Sequence, residues 1–149
     1  MKLTGIDVFD STIQRTNLWL KEFMQELNWS DHRKTYEAFR CVLHTVRDLM
    51  PVIDAIRFSQ ELPMLIRGFY FEGWEPSGKP LPIRNRSEFV FLLSRSLARD
   101  GDRSSDAEVV ARGVFRLLER KVNDGEIDDI RHLMPPAILD LWPPASQAA

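Results

Sequence analysis

A chain of 149 residues can bury a core without staples, and it fits one domain or two small halves sharing that core. Its 44% apolar and 28% charged residues are ordinary for a globular chain, and the net charge of −2 divides evenly at Trp74, with 9 basic against 10 acidic residues up to it and 11 against 12 beyond. That balance excludes a basic arm for nucleic acid or an anionic membrane, and the sole cysteine, Cys41, excludes an intrachain disulfide and points to the reducing cytoplasm.

The predicted elements are almost all helices. Ser11-Thr12-Ile13-Gln14 reads as a capping box, and after it Ile13, Leu20, Phe23, Met24 and Leu27 fall on one face at helical spacing. Asn28-Trp29-Ser30 breaks that pattern, and Ser30 is placed to cap the next helix. Its period is the cleanest in the chain: Tyr36, Phe39, Val42, Leu43, Val46, Leu49 and Met50. Pro51 ends it and opens a short third helix through Ala55, Ile56 and Ser59, as Pro63 opens a fourth towards Phe71. The stretch from Gly73 to Arg84 holds Pro76, Gly78, Pro80 and Pro82, so it is a connector rather than a helix, with Leu81-Pro82-Ile83 extended.

Beyond it, Asn85-Arg86-Ser87-Glu88 caps a helix whose face is Phe89, Leu92, Leu93 and Leu97. Asp100-Gly101-Asp102 makes a turn, and Ser105-Asp106-Ala107-Glu108 is a second capping box ahead of Val110, Val114, Leu117, Leu118 and Val122. Asn123-Asp124-Gly125-Glu126 restarts the chain into a helix carrying Ile127, Ile130 and Met134, and Pro135 opens the last helix, ending near Trp142. The tail over 143–149 lacks apolar bulk and is expected to fray.

These events recur. Arg40 and Arg112 are 72 positions apart (112 − 40), and so are Pro63 and Pro135 (135 − 63). At that offset Val42 meets Val114, Ile66 meets Ile138 and Tyr70 meets Trp142. The expected fold is all-α: a helical repeat over 1–74, a proline-rich connector over 75–86 and a second repeat over 87–142, packed into one domain. No uncharged apolar run of about 18 residues exists to span a membrane, and Asp7 and Asp10 interrupt any leader-like stretch.

The run Leu3-Thr4-Gly5-Ile6-Asp7, the Val42-Leu43-His44 segment, Leu62-Pro63, Gly68 through Trp74 and Met134-Pro135 together resemble the domain-of-unknown-function family numbered 2267. The resemblance covers nearly the whole chain. It implies a small all-helical bacterial protein of two related halves, and it implies no activity and no catalytic residues.

The chemistry-bearing residues are sparse. Asp128 and Asp129 stand four and three positions before His132, but the positions 72 earlier than Asp129 and His132 are Arg57 and Gln60, so no symmetric metal site and no cofactor is expected. Cys41 and His44 share a helix, but Cys41 adjoins the apolar stripe and its repeat mate is Gly113, so a small residue for packing is the reading rather than a nucleophile. No glycine-rich phosphate loop is present. Two candidate surfaces are left. The connector gathers Trp74, Lys79, Arg84 and Arg86, the residue types of interface hot spots, whereas Tyr70 and Phe71 beside it read as core. Arg40 and Arg112, at equivalent places, either bond helix-end carbonyls and carboxylates or form a paired anion site. The expectation is a non-enzymatic interaction or regulatory module with a protein partner. The alternative is a binder of small molecules or anions, or an enzyme, with a pocket between the halves near Arg40, Arg112 and His132. A homo-oligomer closed through apolar helix faces is the third reading.

Overall fold

The computed structural model describes residues 3–144, so 145–149 of the expected tail lie outside the described residues. It is all-α. The helices are α1 (Asp7–Glu26), α2 (His32–Leu49), α3 (Val52–Ser59), α4 (Met64–Phe71), α5 (Arg86–Arg99), α6 (Ala107–Lys121) and α7 (Asp124–Leu133), followed by a 3-10 helix over Pro136–Leu141. Among the described residues there is no strand, and no helix is long and apolar enough to cross a membrane.

Local chemistry sets the boundaries. Asn85 caps α5 by accepting the N–H of Glu88, as its position predicts, and Asn123 caps α7 by accepting the N–H of Glu126. At α2 and α6 the caps are Asp31 and Asp106, each one residue beyond the serine expected there, because a carboxylate accepts orphan N–H groups and suits the positive helix end. Pro51, Pro63 and Pro135 each stand just before the first helical residue, with extended ψ near 140–150°.

The start of α1 corrects the sequence reading. The helix begins four residues ahead of Ser11, and Ile6 in the cap position makes no side-chain cap bond. Asp10 is the cause: its Oδ1 accepts from the N–H of Leu3 (3.2 Å), the N–H of Thr4 (2.9 Å) and the Thr4 hydroxyl (2.9 Å), folding the preceding segment over the first turn. The buried stripe of α1 is also rotated. It runs through Thr12, Thr16, Trp19 and Phe23, and Ile13 and Leu20 are only half-buried.

The centre of the core is the contact of α2 with α6, the two helices with the longest buried faces. Around it α1 packs on α2, α4 and α6, and α5 packs on α6, the 3-10 helix and α2. Exchanging α1 with α5, α2 with α6 and α4 with the 3-10 helix carries these packed pairs onto one another; α6–α7 alone lacks an equally extensive counterpart. Tyr70 is fully buried, with its hydroxyl donating to the Ala55 carbonyl (2.7 Å), and Trp142 stacks on Phe115 at 4.4 Å. Both are core side chains, as read from sequence.

Candidate functional site

The connector leaves α4 at Gly73 and is pinned to α2 where the N–H of Leu81 donates to the Asp48 carbonyl at 2.8 Å. Between α2, the end of α4, the connector and α5 lies a cleft of about 510 Å³. Four arginines line it, Arg40, Arg47, Arg95 and Arg99, against three carboxylates, Asp48, Glu72 and Asp100, with Cys41, His44, Leu81 and Leu92 filling the wall.

Two of the arginines are structural. Arg47 is 4% exposed; its guanidinium donates to the carbonyls of Tyr70 (2.7 Å) and Glu72 (3.2 Å) and pairs with Asp48 (2.9 Å). It therefore serves the open C-terminal end of α4, where carbonyls lack helical partners and the dipole favours a cation. Arg40 reaches from α2 to Asp100 at the end of α5 (3.1 Å), with longer contacts to Tyr36 Oη (3.3 Å) and Glu72 (3.5 Å). Arg95 and Arg99 are different. Both are exposed, one turn apart on α5, and among the described residues neither meets a carboxylate; Arg95 only lies over the Phe91 ring at 5.6 Å.

The thiol and the imidazole of the wall are held neutral. Burial pushes the Cys41 thiol up to about 12, and its Sγ–H faces Asp100 Oδ2 at 3.2 Å. Such a thiol is no nucleophile at neutral pH. His44 donates Nε2–H to the Phe69 carbonyl at 2.6 Å, and burial lowers its pKa from the ordinary value, so it stands as the neutral ring with Nδ1 unprotonated.

A family model described as an uncharacterized conserved protein (DUF2267) matches residues 16–141. The chain belongs to the DUF2267 family. The matched span covers α2 through α7, most of α1 and the whole cleft, so the cleft is built within the part of the chain that this family comprises. No curated protein matches the chain.

The residues predicted for the DUF2267 connector do not gather. Trp74 is half-buried against Phe71 (5.4 Å), Lys79 donates its backbone N–H to Pro76, Arg84 bonds Glu88 (3.2 Å), and Arg86 reaches Asp140 (2.5 Å). Among the described residues no hydrogen bond, ion pair or ring contact joins them. Arg40 and Arg112 do not share a site either. Arg112 bonds Glu108 (2.9 Å) and the Asp140 carbonyl (3.0 Å) in a separate cleft on the far side of α6, and His132 lines a third cleft between α3 and α7. The paired-anion arrangement is therefore replaced by the other role anticipated for these arginines, bonding carboxylates and helix-end carbonyls. Asp128 turns its carboxylate to Arg131 and its carbonyl to His132 Nδ1 (2.6 Å); among the described residues no three acidic, histidine or cysteine side chains converge as cation ligands.

Arg95 and Arg99 were the residues the sequence reading passed over. The signal was available in the other face of α5: Leu92, Arg95, Ser96 and Arg99 recur at helical spacing, and the two arginines form a like-charged pair four apart.

Proposed function

We propose that the chain is a non-enzymatic binding protein whose cleft between α2 and α5 takes a small organic anion. The observation that carries this reading is the pair of free guanidiniums, Arg95 and Arg99, on a cleft whose other arginines are ion-paired. Guanidinium forks suit carboxylate and phosphate oxygens bidentately, and a cleft with low-dielectric walls strengthens the attraction. The protonated Cys41 and neutral His44 favour binding over covalent chemistry. A reducing, cytoplasmic setting fits Cys41, a free and buried thiol. The exchange relation among packed helices supports two related halves with the cleft on a seam between them. The connector reading has less support, because Trp74, Arg84 and Arg86 face three different neighbours.

Titration calorimetry with inorganic phosphate and succinate tests the proposal. At least one should give saturable heat, weakened about tenfold or more by Arg95→Ala with Arg99→Ala, since a hydrogen bond to a charged group is worth about 1.5–3 kcal/mol. Absence of saturable binding by either anion, or binding indifferent to the double substitution, would sink it.

A further inference from the structure

We propose that the ligand of the basic cleft is an amphiphile, an organic anion whose apolar tail lies in the neighbouring groove between α1 and α4. This rests on the anion reading above. The groove encloses about 800 Å³ and is walled by Phe9, Ile13, Leu20, Met64, Leu65 and Phe69. Phe9 (44% exposed), Met64 (42%) and Leu65 (45%) leave apolar surface open there, on the side of α1 that the rotated stripe keeps out of the core. A concave, mostly apolar site of this size with a few polar groups suits a small molecule.

The two cavities share a wall. Arg40 lines the basic cleft, Tyr36 lines the apolar groove, and Glu72 lines both. Arg40 joins them, through Tyr36 Oη at 3.3 Å and Glu72 Oε1 at 3.5 Å. The Glu72 link is the weak one: it is long, and the Glu72 side chain is 64% exposed, so it is a surface pair of small net value. An incoming carboxylate or phosphate can take the place of Glu72 on Arg40 while Arg95 and Arg99 hold its remaining oxygens. The tail would then pass the Tyr36–Glu72 wall, whose far side lines the groove.

Each cavity lacks what the other has. Among the described residues Glu72 is the groove's only charged lining residue, so an anionic head does not belong there. The basic cleft offers only Leu81 and Leu92 as apolar wall, which is too little to bury a tail. One molecule with both parts satisfies both sites, and burial of its tail supplies the affinity that a solvated anion pair alone does not.

The test is calorimetry of the full chain with acetate, octanoate and dodecanoate as monomers. A buried methylene is worth about a fourfold gain in affinity, so even partial burial should make dodecanoate bind at least about tenfold tighter than octanoate. Gly68→Leu fills the groove: no atom lies within 4 Å of a Cβ at Gly68, and the helical backbone accepts leucine. It should erase the chain-length gain and leave phosphate or succinate binding in place. Met64→Glu, at a half-exposed site, should do the same. Binding of small anions with no gain from octanoate to dodecanoate overturns this inference and leaves the anion reading standing. Absence of binding by any anion removes both. Dodecanoate binding that survives Arg95→Ala with Arg99→Ala, that is unchanged by both groove variants, or that occurs only with anionic vesicles overturns the inference.

Discussion

The crossing of α1 on α6 and the crossing of α5 on α2 hold corresponding places, yet one is sealed and the other is a cleft. At the first, α1 lies so close that a Cβ on Gly113 would meet Leu27 Cδ2 at 3.0 Å and Phe23 Cε1 at 3.1 Å. At the second, Cys41 stands 72 positions earlier (113 − 41) and turns its thiol to Asp100 on the cleft wall. Charge follows the same division. On α1, Glu22 and Glu26 pair with Lys121, Arg116 and Arg120 of α6. At the offset of 72 the residues after those glutamates are Ser94 and Ala98 (94 − 22 and 98 − 26); Arg95 and Arg99, one position further on, line the cleft and among the described residues pair with no carboxylate. The positions 72 before Arg116, Arg120 and Lys121 hold His44, Asp48 and Leu49, so those three pairs have no counterpart on the open seam. The helices hold corresponding places at the two seams, and the side chains at the crossings make the difference.

The largest expected effect breaks the open side. Arg47→Met removes the cation from the carbonyls of Tyr70 and Glu72 and leaves Asp48 unpaired; urea denaturation should show a loss of about 3 kcal/mol. Its counterpart 72 positions on is Glu119, which pairs with Arg131. A loss below about 1 kcal/mol would mean that the end of α4 does not depend on this arginine.

Next comes the sealed side. Gly113→Leu forces a side chain into the space of Phe23 and Leu27, and despite the better helix propensity it should destabilise by about 2 kcal/mol. Melting unchanged by this substitution would show that the seam has slack and that the contrast with the cleft is one of charge alone.

A smaller effect depends on pH. His44 has a lowered folded pKa, so between that value and its unfolded value the unfolded chain binds more protons. Its contribution is therefore present above about pH 6.5 and is lost as pH falls through the folded pKa. Chain stability should drop from pH 7.5 to pH 5, and His44→Gln, which still offers an N–H to Phe69, should drop less. Equal losses in the two proteins would show that the ring is not held neutral. The counterpart of His44 is Arg116, a permanent cation, so the titratable group belongs to the open seam.

The smallest effect concerns Cys41. Cys41→Ala should cost about 1 kcal/mol or less and leave anion binding unchanged, because Arg40 still engages Asp100. A thiol held near 12 should also resist alkylation at pH 8 until the chain is unfolded. Rapid labelling of the folded chain would reopen a nucleophilic role.

Much of the fold was legible because it rests on local rules. Apolar spacing named the buried faces of α2 and α6, the segment from Asn85 named a cap, the segment from Asn123 named a restart, and the prolines at 51, 63 and 135 named three starts. The fate of Tyr70, Trp142 and Cys41 followed from size and from what stood at the matching position. Legibility ended where a residue's partner lies far along the chain. The start of α1 depended on Asp10 gathering the N–H groups of Leu3 and Thr4, and the rotation of its buried face depended on α4 and α6 covering it.

The sequence by itself determined an all-α chain, its order of helices and a set of side chains destined for the core, since periodicity, caps and prolines act within a few residues. Only the tertiary structure decided which charges are spent. Arg40, Arg47, Arg86 and Arg112 find carboxylates or carbonyls between 23 and 60 positions away, whereas among the described residues Arg95 and Arg99 do not. Whether a guanidinium is free depends on which helices cross beside it and how closely, and the crossing of α5 on α2 is what leaves these two facing an open cleft.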